Sequence, residues 1–91
     1  MDRFVFPHSH PAREASRRLV AAAPEEGIQV SFAAASILEG SIVAPSAFGS
    51  VQATFEITDA GVHIIVTASP KYVAMGLVKA VMEDKLTRVL G

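Results

Sequence analysis

Cysteine and tryptophan are absent from this 91-residue chain, and tyrosine occurs once. Without cysteine there can be no disulfide, thiolate zinc site or cysteine nucleophile. A basic surplus is also missing, because the net charge is −1, which argues against a general nucleic-acid binder. No apolar run approaches the roughly 20 residues that span a bilayer, and the opening residues are not typical of a signal peptide. We therefore expect a cytoplasmic protein with no membrane span and no nucleic-acid partner.

The composition is typical of one globular domain covering residues 1–91. Hydrophobic residues make up 51% of the chain and charged residues 19%. A domain of this size buries a modest fraction of its surface, so association with a second copy would supplement its core. A homodimer is therefore expected.

The first half of the chain predicts a strand, a helix, a second strand and the beginning of a third. Arg3 to Phe6 is typical of a short strand that ends at Pro7. A helix is predicted from Ala12, with Ser9 or His10 as its capping residue. The alternating segment 28–38 indicates a strand that returns at residues 42–44, and the segment 45–49 interrupts it as a bulge or loop.

The second half carries the clearest pattern. Apolar and polar residues alternate over 51–58 and again over 62–68, which predicts a hairpin with Gly61 at positive φ. Ser69 and Pro70 are typical of a helix start, and helical spacing continues to about Leu90. The sequence thus predicts an α+β fold in the order β-α-β-β-β-α. Its sheet would have four mainly antiparallel strands with two helices packed on one face.

No group of residues predicts catalysis or metal binding. Ser9 and His10 are adjacent, which is poor geometry for a nucleophile and its base. His8 and His10 could share a metal, but His63 is the only other imidazole and the usual three or four ligands are not evident. We expect no enzymatic activity, no cofactor and no metal.

A basic cluster occurs near the start of the chain. It comprises Arg3, Arg13, Arg17 and Arg18. Aromatic residues for base stacking are not interleaved with it, so it is interpreted as a solvated face in which Glu14 pairs with Arg17 or Arg18.

Apolar residues in excess of what a core needs indicate an interaction surface. The second predicted helix is apolar around most of its circumference, and the outer face of the sheet carries further apolar residues. The predicted interaction residues are Tyr72, Met75, Val78, Met82 and Ile65.

The residue pattern also resembles a known family. The segment 7–15 reads PHSHPAREA and leads into an arginine-containing helix, while the hairpin 55–64 precedes the segment 72–79, YVAMGLVK, and a helix ending in LTRVL. This looks like the family called putative polyhydroxyalkanoic acid system proteins, which are small bacterial proteins. The resemblance implies a bacterial accessory protein associated with polyhydroxyalkanoate granules or their metabolism. It transfers no site residues, because that family has no established site.

The leading hypothesis is therefore a non-enzymatic interaction protein that meets the granule surface or granule proteins through an apolar helix or sheet surface. One alternative is a carrier of small apolar ligands, with its pocket between the sheet and the C-terminal helix. Another is a small dimerising subunit of a larger complex.

Overall fold

The computed structural model describes residues 2–33, 36–46, 49–70 and 74–90. Its elements in chain order are β1 (Asp2–Pro7), α1 (Ala12–Ala22), β2 (Gln29–Phe32), β3 (Glu39–Ser46), β4 (Gly49–Ile57), β5 (Gly61–Ala68) and α2 (Met75–Leu90). The predicted α+β class is confirmed. The predicted count of four strands is wrong, because the sheet has five strands in the order β1-β5-β4-β3-β2. Every neighbouring pair is antiparallel.

The fifth strand arises because the segment predicted as one interrupted strand over 42–58 is two antiparallel strands, β3 and β4. The reversal before it was predicted but comes earlier: β2 ends at Phe32, and the chain returns as β3, with Phe32 paired to Gly40. The N–H of Ala33 donates to the carbonyl of Glu39 at 2.9 Å, which closes the connection. A Cβ on Gly40 would overlap the backbone of Ser31, so glycine permits this close approach.

β3 also runs further than predicted. It continues through Pro45, which is exposed and lies opposite Ser50 in β4, rather than breaking at that proline. Residues 47 and 48 lie outside the described part of the chain. The irregularity between neighbouring strands lies instead at Gln52 and Ala53, where the β4–β5 register shifts.

The β4–β5 hairpin agrees with its prediction, apart from the role of its glycine. Gly61 does not have positive φ. Its missing side chain matters because a Cβ would lie 2.8 Å from Cγ1 of Val5 and 2.9 Å from the carbonyl oxygen of Phe6. Glycine thus allows β1 to approach the hairpin closely. The described glycines with positive φ are Gly27, at 70° just after α1, and Gly49, at 127° at the start of β4.

One face of the sheet and both helices enclose the core, as predicted. The inward residues of β4 and β5 alternate with exposed ones, and the largest fully buried side chains include Leu19 of α1, Ile64 of β5 and Leu86 of α2. The buried residues form one cluster. The opposite face of the sheet carries no helix in the described part of the chain.

Side-chain contacts fix where α1 begins. Its cap residue is Pro11, which offers no side-chain hydrogen bond, so the prediction of Ser9 or His10 as the cap is wrong. Asp59, from the β4–β5 turn, accepts a hydrogen bond from the N–H of Ala12 at 2.7 Å instead. A carboxylate from a distant segment thus satisfies one of the free N–H groups at the helix start.

α2 begins later than predicted and is held at its C-terminal end. It starts at Met75 rather than at Ser69-Pro70, and the residues 71–73 lie outside the described part. Near its end, Lys85 donates to the carbonyl of Glu26 at 2.9 Å, and Arg88 donates to the Glu26 carboxylate at 2.9 Å. The hydrogen bond that Arg88 donates to Glu26, together with the charge of Asp84, raises the pKa of Arg88. Arg88 therefore remains charged wherever the protein is folded.

Candidate interaction surface

The structure separates the five predicted interaction residues. Val78 and Met82 are 2% and 3% exposed, so they belong to the core and do not stand on a surface. Met75 is half-buried and packs against the same core. Ile65 lies on the open face of the sheet, and Tyr72 lies outside the described residues. The interface prediction is therefore corrected for Val78 and Met82, because the sheet already covers them.

A different apolar surface lies on the outward side of α2. Leu77 is 49% exposed and Val81 is 38% exposed, and they are four residues apart on the helix. Ala74 and Ala80 are exposed beside them. We call these four residues the outer α2 stripe. The stripe lies at the beginning of the helix. No other apolar residue in the described part of the chain fully buries its two large side chains.

Two charged pairs lie on α2. Lys79 and Glu83 approach to 3.6 Å, with both side chains about half exposed, and lie about 160° around the helix from Leu77 and Val81. Asp84 and Arg88 pair one turn further along the helix. The apolar stripe thus gives way to ion-paired residues towards the C-terminal end, which gives the outward side of α2 an apolar half and a polar half.

Sequence reasoning missed this stripe for a definable reason. Leu77 and Val81 directly precede Val78 and Met82, so the helix has two apolar stripes about 100° apart. Residue type does not distinguish them. Lys85 and Leu86 indicate which stripe is buried, because they continue the stripe of Val78 and Met82 along the helix. Lys85 reaches the loop at Glu26, and Leu86 lies in the core.

The open face of the sheet is mostly polar. One row across neighbouring strands contains Val5, His63, Glu56 and Glu39, each opposite the next. The next row contains Arg3, Ile65, Thr54, Ser41 and Ser31. Because side chains alternate between faces, both rows point away from the helices.

Two cavities indent this open face. The larger, of about 500 Å³, lies over β2 to β5 and includes Glu39, Ser41 and Thr54 in its lining. The smaller, of about 380 Å³, includes Arg3 and Val5 at the β1 side. Both are lined by Glu56, His63 and Ile65, so they adjoin. Together they form a shallow trough across the strands, which we call the open-face trough.

The space between the sheet and α2, where the carrier hypothesis places its pocket, is occupied by side chains. Val78, Met82 and Leu86 are at most 3% exposed there and belong to the same buried cluster as Phe55 and Ile64. Both cavities described above lie on the other side of the sheet.

His8 and His10 make hydrogen bonds within the fold, whereas His63 lies apart from them. Nδ1 of His8 accepts from the N–H of His10 at 3.1 Å, and Nε2 of His10 lies 2.6 Å from the carbonyl oxygen of Leu90. The two rings stack with centroids 6.0 Å apart. His63 is on the opposite, open face. Within the described residues, no three side chains of histidine or carboxylate type converge as metal ligands.

The basic cluster is divided by the fold. Arg3 lies on β1, on the open face of the sheet, whereas the other three arginines lie on α1. Arg18 pairs with Glu14 at 3.2 Å, which confirms one of the two predicted partners. Arg13 and Arg17 are exposed, so the α1 arginines form a solvated face rather than a concentrated phosphate site.

Comparison with known proteins gives no match to a family model, to a curated protein or to a solved structure. Among the described residues, no helix combines the length and apolar character needed to cross a membrane. The function is therefore argued from the two surfaces of the chain itself: the outer α2 stripe and the open-face trough.

Proposed function

We propose that this chain is a non-enzymatic interaction protein that docks the outer α2 stripe onto an apolar surface. The observation that supports the proposal is the exposure of Leu77 and Val81 on a helix whose core side is already filled. The resemblance to polyhydroxyalkanoic acid system proteins suggests the occupant, which is the polyester surface of a polyhydroxyalkanoate granule. The proposal places the protein in the bacterial cytoplasm, where such granules form.

The energetics favour weak, reversible docking. Full burial of a leucine or valine side chain contributes about 1.5–3 kcal/mol. Leu77 and Val81 are each about half exposed, so covering both contributes about 1.5–3 kcal/mol together. This is small for a protein–protein complex in solution, where association itself is costly. An extended apolar surface can bind many copies of the protein in many positions. It therefore suits such a shallow stripe better than a single pocket on a partner protein would.

Charged side chains elsewhere on α2 are compatible with docking through the outer α2 stripe. The Lys79–Glu83 pair lies away from Leu77 and Val81 and keeps its charged groups in solvent. A helix with one apolar side and solvated charges on another is the arrangement found in helices that lie on an apolar boundary. In this protein the rest of the domain would stand above the granule, with the open-face trough directed to solvent because it lies on the other side of the sheet.

The test is co-sedimentation with particles of poly(3-hydroxybutyrate). The double variant Leu77→Ser/Val81→Ser should lose affinity by about ten- to a hundred-fold, which corresponds to the burial estimated above. Val20→Ser is the matched control, because Val20 lies on α1 and is 48% exposed, almost the same as Leu77. The control should bind like the parent protein. Equal loss in both variants, or no loss in the double variant, would contradict the proposal.

Self-association is the second candidate, and the same stripe favours it. A twofold axis across α2 would bring the stripe against itself, since isologous contacts join like surfaces. Light scattering over a range of protein concentrations, without particles, distinguishes self-association from binding to the granule surface. A stable dimer that Leu77→Ser/Val81→Ser dissociates would make the homodimer, rather than the granule, the occupant. A monomer that binds particles supports the proposal above.

A further inference from the structure

The two edges of the sheet differ in how far they are protected against pairing with another strand. β1 and β2 are the outer strands. β1 contains two charged residues, Asp2 and Arg3, and ends at Pro7, and charges and proline are the usual devices that prevent edge-to-edge pairing. β2, which spans Gln29–Phe32, has neither a charged residue nor a proline. β2 is therefore the edge that is open to pairing.

Main-chain hydrogen bonds determine which groups of β2 point outward. The N–H of Ala33 donates to the carbonyl of Glu39, so these residues form a hydrogen-bonded pair of the antiparallel β2–β3 ladder. Because hydrogen-bonded and non-hydrogen-bonded pairs alternate, the backbone groups of Ser31 also point to β3. Val30 and Phe32 therefore direct their N–H and C=O groups to the outer edge, where the described part of the chain has no strand to pair with them.

The side chains of the same two residues lie at the margin of the core. Val30 and Phe32 are half-buried and pack against the buried cluster, and the ring of Phe32 contacts the ring of Phe55 edge to face at 5.8 Å. A strand added to β2 would cover the exposed part of both side chains. The edge thus presents free backbone groups and apolar side chains at the same place, which is the combination that a paired strand satisfies.

β2 is complementary to itself in one antiparallel register. With a twofold axis perpendicular to the sheet at Ser31, Val30 of one copy lies opposite Phe32 of the other on the core side. Each such pair exchanges two main-chain hydrogen bonds, and an aromatic residue opposite a β-branched one stabilises a ladder. The two Ser31 side chains lie opposite each other on the open face. Since β2 has no charged residue, this pairing opposes no like charges.

We propose that β2 pairs with β2 of a second copy in this register, so that two five-stranded sheets become one continuous sheet. Ser31, Phe32 and Ala33 line the larger cavity of the open-face trough, so the dimer joins the troughs of the two copies across the axis. The strand is short, and the association is therefore expected to be weak. This pairing goes beyond the proposed function and is independent of it, because Leu77 and Val81 take no part in it.

The experiment that tests the register is disulfide cross-linking, which the absence of native cysteine permits. Ser31→Cys places two thiols opposite each other at a non-hydrogen-bonded pair, where Cα atoms about 4.5 Å apart suit a disulfide. Mild oxidation should give a covalent dimer on a non-reducing gel. Gln29→Cys is the matched control, because it is exposed on the same face of β2 but its two copies would lie roughly 13 Å apart along the strands. Equal cross-linking of both variants, or of neither, would overturn the proposal.

A proline substitution tests the main-chain hydrogen bonds. Val30→Pro removes one outward N–H group from each copy and should weaken dimerisation about ten-fold or more in sedimentation equilibrium. Val5→Pro is the matched control on the other edge. The N–H of His8 donates to Ala60, so alternation along β1 directs the N–H of Val5 outward as well. The control should dimerise like the parent protein, and an equal loss in both variants would contradict the assignment to β2.

A charge substitution keeps the test decisive if Val30→Pro does not fold. Ser31→Lys opposes two like charges only in the dimer and should dissociate it, whereas Ser41→Lys, exposed one strand further in, should not. A parent protein that stays monomeric up to its solubility limit would overturn the proposal, even if it pairs with an extended peptide of another sequence. So would a dimer that Leu77→Ser/Val81→Ser dissociates, because self-association would then belong to the outer α2 stripe.

Discussion

The two sides of α2 have nearly the same residue types but different surroundings. Val78 and Met82 face the sheet and are almost fully buried, whereas Leu77 and Val81, their immediate predecessors, are exposed. The inward pair belongs to the buried core cluster, whereas the outward pair stays about half exposed. A helix that is apolar on several sides thus has one side that stabilises the fold and another that is available for function. The predictions below test whether these two roles are separate.

Substitution of adjacent residues gives the largest expected contrast. Met82→Ala should lower the free energy of unfolding by about 2–5 kcal/mol, because it removes buried methylene groups and leaves a cavity. Val81→Ala should change it by less than about 0.5 kcal/mol, since the side chain is partly solvated. Urea denaturation of both variants measures the difference. Similar losses for the two would show that the outward side also supports the fold.

An exposed residue can nevertheless stabilise the fold when it makes a tertiary contact. Asp59 is exposed, but its carboxylate accepts the hydrogen bond from the N–H of Ala12 at the start of α1. Asp59→Ala should lower the free energy of unfolding by about 1 kcal/mol, the usual cost of losing a helix-capping acceptor. Asp59→Asn keeps an acceptor oxygen and should recover part of this loss. A neutral Asp59→Ala variant would show that solvent satisfies this N–H group equally well.

An exposed ion pair on another side of α2 should contribute least. Lys79 and Glu83 form this pair at 3.6 Å, four residues apart on the helix. Glu83→Gln should lower the free energy of unfolding by no more than about 0.5 kcal/mol, and the loss should disappear in high salt. Thermal denaturation at low and high ionic strength checks this. A large, salt-independent loss would mean that this pair takes part in packing.

The β4–β5 hairpin and the presence of two helices could be predicted from the sequence because they depend on local patterns. Alternation over 51–57 reports a strand with one buried face, and the structure has this strand as β4. The β2–β3 reversal was predicted, but not its position, because β2 ends at Phe32 rather than near residue 38. That position depends on the close approach of Gly40 to Ser31, which involves residues nine positions apart in a chain that continues to alternate.

Two of the predicted interaction residues on α2, Val78 and Met82, lie in the core. Helical periodicity identifies apolar stripes, whereas the choice of the inward stripe depends on the packing of β1 and α1 against α2. Val78 and Leu77 are both apolar by type, so only the fold distinguishes them. The direct pairing of Glu39 with Glu56 was likewise not predictable, because Glu39 lies in a part of β3 that precedes the predicted strand at 42–44.

The most direct test of the central claim uses the absence of cysteine, which allows a single introduced thiol to carry an environment-sensitive fluorophore. Ala80→Cys places the probe on the outer α2 stripe, and Ala21→Cys places it at a comparable exposed position on α1. On addition of poly(3-hydroxybutyrate) particles, the emission from position 80 should shift to shorter wavelength while that from position 21 stays constant. A shift at position 21 alone, or at neither position, would contradict the assignment of the outer α2 stripe as the docking surface.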